Sequence, residues 1–156
     1  MPSAGKTTVG LALSKKLGYK YFDLDMMVEE KEGKSLIEVM NEKGADYFRN
    51  MEYDFLKQIS TDSNAVISPA GSIIFQKDAM DWILNNSHVI FLNTPLEIIG
   101  KRLEVTPKAV AGLKERGIQS IYNERLPIYN RFASLVVNTT NKKVNQVVEE
   151  IICNLK

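Results

Sequence analysis

Met1-Pro2-Ser3-Ala4-Gly5-Lys6-Thr7-Thr8 opens the chain and runs straight into a segment where Val9, Leu13 and Leu17 recur every four residues. That spacing puts three apolar side chains on one face of a helix over residues 6–17. Gly5-Lys6-Thr7 ahead of such a helix is the second half of the phosphate-binding pattern G-x-x-x-x-G-K-[ST]. Backbone N–H groups and the dipole at a helix N-terminus favour bound phosphate. Gly5, Lys6, Thr7 and Thr8 are therefore the candidate nucleotide-binding residues. Lys6 is expected to reach the β and γ phosphates, and the Thr7 hydroxyl to hold Mg²⁺. The first glycine of the pattern falls one position ahead of Met1. A β-branched strand of roughly ten residues ending in that glycine is expected upstream, so the strand before the loop is expected to be absent from these residues. The bland alternative is an N-terminal tail followed by an ordinary helix.

Working outward, short β-rich runs alternate with longer helix-patterned segments. Residues 21–24, 65–68, 88–92 and 134–137 read as strands, rich in Val, Ile, Phe or Tyr and bounded by turn residues. Residues 36–43, 47–59, 77–85, 96–104, 118–131 and 142–155 carry helical spacing, with Val144, Val147, Val148, Ile151 and Leu155 marking one face of the last. Strands separated by helices imply right-handed crossovers. The fold class that follows is three-layer α/β, a central parallel sheet with helices on both faces. No repeat or linker divides the chain, and residues 1–156 read as a single domain. Residues 105–117, with Pro107, Gly112 and Gly117, read as a mobile loop.

Bulk properties agree. At 156 residues the chain suits one domain with a sizeable core. Lys and Arg number 20 against 19 Asp and Glu, a balance that gives no footprint for nucleic acid and no basic membrane patch. A single cysteine, Cys153, cannot form an internal disulfide, which favours a reducing, cytoplasmic setting. No apolar run reaches the length of a membrane span.

Four further segments carry chemistry. Asp23-Leu24-Asp25 closes the first strand, and side chains two apart on a strand share a face. Both carboxylates would then meet at the C-terminal edge of the sheet, where open α/β folds bind ligands. One could orient hydrated Mg²⁺ and the other accept a proton from a substrate hydroxyl; a solvated strand end capping the next helix is the even alternative. Arg49 and Glu52 lie three apart on a helix, either as a surface ion pair or with the guanidinium aimed at a substrate carboxylate. Gly71, in Ser68-Pro69-Ala70-Gly71-Ser72, allows positive φ or close backbone approach to a ligand, where a simple turn serves nearly as well. Arg125 precedes Pro127, a residue that tends to end or kink a helix; taken alone it reads as a surface arginine.

Together these segments resemble the shikimate kinases, small P-loop enzymes, in the family's order and over nearly the whole chain. Gly5-Lys6-Thr7-Thr8 is similar to the end of the family's Walker A motif, and Phe22-Asp23-Leu24-Asp25 to its Asp-x-Asp strand. Gly44 with Phe48, Arg49 and Glu52 resembles its Gly-Glu-x-x-Phe-Arg-x-x-Glu helix. Residues 67–72 resemble its glycine turn, and Arg125-x-Pro-x-Tyr129 its arginine motif after the lid.

The resemblance implies ATP-dependent phosphorylation of the shikimate 3-hydroxyl, a substrate-binding region at 26–60 and a lid at 105–117. It implies Asp25 on the ring hydroxyls and as base, Asp23 orienting Mg²⁺ through water, and Arg49 and Arg125 on the substrate carboxylate. Gly71 would lie against the ring and Arg102 near the adenine. ATP, Mg²⁺ and shikimate are the expected partners, and the chain is expected to be a monomer. The sequence departs at Ala45, where the family has Glu, and at Ala70 and Ser72, which leave one glycine of a triplet. The lid reads Thr106-Pro107-Lys108-Ala109-Val110, with Lys108 at the position of a family arginine and Arg116 as competitor. Two other readings stand beside this one: an impaired, non-catalytic binding relative, and a kinase for another hydroxy acid such as gluconate.

Overall fold

The computed structural model describes residues 1–60 and 64–155. It contains α1 (Lys6–Leu17), β1 (Lys20–Asp23), α2 (Leu24–Glu32), α3 (Leu36–Gln58), β2 (Ala65–Ser68), α4 (Lys77–Asn86), β3 (Ile90–Asn93), α5 (Leu96–Val105), α6 (Leu113–Phe132), β4 (Leu135–Asn138) and α7 (Val144–Asn154). The alternation read from the sequence is present, with strand ends shifted by a residue or two.

Every ladder is parallel. β1 pairs with β2 from Lys20↔Ala65 to Asp23↔Ser68, and β3 with β4 from Ile90↔Leu135 to Asn93↔Asn138. Among the described residues the two ladders do not pair with each other. Between them lies a cavity of about 730 Å³, lined by Met1, Val66, Ile67, Phe91 and Leu92 among others. Apolar packing covers both sides. Val9, Leu13, Phe91, Ile99, Val137, Val147 and Ile151 form one core, with Val66 against it. Leu24, Leu56, Ile73 and Met80 form a second, with Phe22 and Ile67 against it. Adjacent β2 residues thus enter opposite cores, as period-2 side chains on a strand buried on both faces must.

Residues 36–43 and 47–59 are the two helical segments expected, joined in α3 across a kink at Gly44, whose φ of 84° and ψ of 168° are non-helical and disfavoured for side chains. Its start is fixed by a capping box, in which Ser35 accepts from the Glu38 N–H and Glu38 accepts from the Ser35 N–H. Two boundaries differ from expectation, each for a local reason. Residues 113–116 of the expected lid are helical: α6 starts after Gly112 and is broken at Gly117, whose φ of 69° and ψ of 163° are non-helical, so the helix expected from residue 118 begins where the sequence placed it. Residues 106–112 lie outside helix and strand there. Pro127 lies inside α6 without ending it. No helix among the described residues is long and apolar enough to cross a membrane.

Candidate active site

α1 begins at Gly5, whose φ of 96° turns the chain so that the first amides of the helix open outward. Thr94 fastens this loop from beneath. It is 1% exposed, donates to the Ala4 carbonyl at 3.3 Å and lies 2.7 Å from the Thr139 hydroxyl. Arg102 reaches across from α5 to the Ser3 carbonyl at 2.9 Å. Lys6 bends back to the Met1 carbonyl at 3.2 Å, and burial holds its ammonium below the ordinary lysine range while Asp25, Asp23 and Glu52 oppose that shift.

The two aspartates do not share a strand face. Asp23 ends β1 and caps α2, accepting from the Met26 N–H at 3.4 Å, whereas Asp25 lies in the first turn of α2. The helix begins two residues earlier than the period-2 argument needs, so a cap and a helical turn bring the carboxylates to the cleft. Asp23 Oδ2 accepts from Thr7 Oγ1 at 2.9 Å and from the Tyr21 hydroxyl at 2.9 Å. Burial first, and then the bond to Asp23, push the Tyr21 phenol up to about 12. Asp25 keeps one buried oxygen, Oδ1, without a partner. Burial raises its carboxyl to about 6, with Lys6 pulling it down and Asp23 adding to the rise.

Arg125 is not a surface residue; it is 3% exposed. Its guanidinium sits 5.6 Å from the centre of the Phe75 ring, and its Nε has no partner. Beside it Tyr129 stacks on Phe91 at 5.1 Å and donates to the Gly71 carbonyl at 2.6 Å. Gly71 is therefore there for close approach and not for positive φ. A Cβ at that position would meet the Tyr129 oxygen at 2.9 Å and Arg125 Nη1 at 3.4 Å. Glu52, absent from the site read off the sequence, is fully buried beneath this turn and accepts from the Ala70 N–H at 2.6 Å. Burial pushes its carboxyl up to about 8. Its spacing of four residues from both Phe48 and Leu56, apolar positions on the same helix face that are buried, was the available clue.

One cleft of about 990 Å³ collects Gly5, Lys6, Thr7, Thr8, Asp23, Asp25, Gly71, Arg102, Lys108 and Arg125. Arg49 is the exception. It does not line this cleft and pairs with Asp46, one helical turn back, so the Arg49–Glu52 ion pair does not form. Arg116 is also elsewhere, in a two-pronged pair with Glu124 at 3.2 and 2.8 Å. Such a site, with a helix N-terminus, a lysine, two carboxylates and a buried arginine around one space, suits transfer of a charged group between two bound molecules.

The family model described as shikimate kinase matches residues 2–156. A shikimate kinase of Clostridium botulinum (strain Alaska E43) is 34% identical over 151 residues, covering 97% of this chain and 90% of that protein. One from Persephonella marina is 32% identical, with coverage of 98% and 93%. The crystal structure of the Aquifex aeolicus shikimate kinase superposes with a TM-score of 0.79 at 31% identity over 97% of this chain and 89% of that one. An Acinetobacter baumannii shikimate kinase in complex with shikimate has the same fold, with a TM-score of 0.86 at 24% identity, covering 97% and 87%. With the family model matched across almost every residue and relatives above 30% identity along nearly their whole length, this chain belongs to the shikimate kinase family.

Proposed function

We propose that this chain transfers the γ-phosphoryl group of ATP to the 3-hydroxyl of shikimate. The observation that carries the reading is the single cleft in which a phosphate-loop lysine faces an unpartnered buried carboxylate and a buried arginine. The triphosphate lies on the amides of α1, with Lys6 against its β and γ groups and Arg102 near the base. The substrate carboxylate binds Arg125, whose guanidinium has an open donor, and Arg49 once it leaves Asp46. Asp25 takes the hydroxyl proton. A carboxyl near 6 is ionised at neutral pH yet basic enough to accept it. The substrate oxygen then bonds to the γ phosphorus, the bond from phosphorus to the β–γ bridging oxygen breaks, and ADP leaves with that electron pair. Lys108, which lines the cleft from the lid side, supplies charge to the moving phosphoryl group.

The Thr7 hydroxyl and Asp23 carboxylate, hard oxygen donors at a helix N-terminus, fit Mg²⁺, which binds through few protein groups, water and substrate phosphates. Thr7 would hold it directly and Asp23 through water, and bound there it neutralises phosphate charge.

Titration of shikimate into the wild-type chain and into Arg49→Ala, Arg125→Ala and Arg125→Lys tests the reading. Losing a charge-assisted partner of the carboxylate should cost about 2–5 kcal/mol, with part recovered by lysine. Unchanged affinity in all three would overturn the carboxylate clamp. Failure to release ADP in the presence of shikimate would overturn the reaction.

A further inference from the structure

Tyr21 stands where three elements meet. Its residue belongs to β1, its ring crosses α1, and its hydroxyl reaches the oxygen that ties β1 to the start of α1. That hydroxyl donates to Asp23 Oδ2 at 2.9 Å and lies 3.5 Å from the Thr7 carbonyl. The same Oδ2 accepts from Thr7 Oγ1 at 2.9 Å. The ring can lie so close only because residue 10 is glycine: a Cβ there would meet Tyr21 Cε2 at 2.8 Å.

We propose that Tyr21 is a positioning residue for the cation-holding pair Thr7 and Asp23, its phenol fixing the rotation of the Asp23 carboxylate. This rests on the reading of Thr7 and Asp23 as the Mg²⁺-binding pair. A threonine hydroxyl has one hydrogen and two lone pairs. To hold a hard cation it must turn the oxygen toward the phosphates, so its hydrogen needs an acceptor on the other side. Asp23 Oδ2 is that acceptor. A carboxylate turns easily about its last torsion, which has only broad minima. The other oxygen, Oδ1, has the long 3.4 Å contact with the Met26 N–H and cannot hold the plane by itself. A second short bond to Oδ2 does so, and the phenol that makes it is held by its packing on Gly10. Partners that orient a metal site's own groups shape cation affinity without touching the ion.

The competing account is that the ring packs and the hydroxyl is incidental. Tyr21→Phe separates the two, because it keeps the ring and removes only the donor. Mn²⁺ binding in the presence of ADP, followed by electron paramagnetic resonance, reads the site without turnover. The apparent Mg²⁺ requirement and the shikimate KM give a second readout. Tyr21→Phe should weaken Mn²⁺ binding by about tenfold, raise the Mg²⁺ requirement in step, and leave the shikimate KM and the Tm where they were. Gly10→Ala, which displaces the ring, should weaken Mn²⁺ binding in the same direction. Adding Tyr21→Phe to Asp23→Asn should have no further effect on Mn²⁺, since the hydroxyl acts through that carboxylate. If Asp23→Asn weakens Mn²⁺ binding while Tyr21→Phe leaves it unchanged or tightens it, the role of Tyr21 is overturned and the site stands. If Asp23→Asn leaves Mn²⁺ binding unchanged, the site reading falls and the inference with it.

Discussion

Replacing Glu52 with glutamine should make the protein more resistant to alkaline conditions. Glu52 is fully buried on α3, with Oε1 accepting from the Ala70 N–H at 2.6 Å and Oε2 unpartnered. Burial pushes its carboxyl from 4.5 up to about 8; the Ala70 N–H, Lys6 and Arg49 oppose the rise and Asp25 adds to it. In the unfolded chain the proton leaves near 4.5, and in the folded chain it stays until about 8. Between those values the folded state binds more protons, so stability falls as pH rises. At about 1.4 kcal/mol per unit, the whole separation is at most roughly 5 kcal/mol. Glutamine keeps the acceptor for Ala70 and carries no titrating proton. Urea unfolding of both proteins at pH 5 and pH 9 measures the effect as a difference, in which other groups cancel. The E52Q variant should gain several kcal/mol on the wild type between the two conditions. A stability difference that is the same at both pH values would refute the reasoning. The wild-type KM for shikimate should also climb above pH 8, as a negative charge appears beside the carboxylate pocket, while that of E52Q stays flatter.

Three other outcomes are expected. Lys108→Arg should raise kcat with little change in the shikimate KM, because the contact forms mainly in the transition state; Arg116→Ala, which breaks only the pair with Glu124, should leave kcat near the wild-type value. Asp46→Ala should lower the shikimate KM by about 1.4- to fivefold, since an exposed ion pair that competes for Arg49 is worth about 0.2–1 kcal/mol; an unchanged KM would mean that Arg49 does not meet the carboxylate. A Val- and Ile-rich strand joined ahead of Met1 would enter the cavity between β2 and β3 and supply backbone partners to both strands. Cooperative melting should then rise by about 5 °C or more, and an unmoved Tm would show that the cavity does not accept a strand.

Much of the molecule is legible in the sequence because its information is local. The start of α1 at Gly5-Lys6-Thr7, the apolar faces of α1 and α7, and the order of strands and helices depend on spacings within a few residues. So do the phosphate loop and the nearness of Asp23 to Asp25. Other features depend on residues far apart in the chain, and no local pattern encodes them. Arg125 is buried because Phe75 lies against its guanidinium, and Gly71 must be glycine because Tyr129, 58 residues later, closes on its carbonyl. Glu52 holds its proton to about 8 because helix α3 places it under the turn at Ala70, out of reach of water. Arg49 meets Asp46 instead of the cleft, and Arg116 meets Glu124, because each helix offers a carboxylate within reach of its arginine. Sequence alone supplied the chemical groups and their order. Tertiary packing determined which of them lost water, and desolvation is what separates a reactive carboxylate or an anion-seeking arginine from an ordinary charged surface.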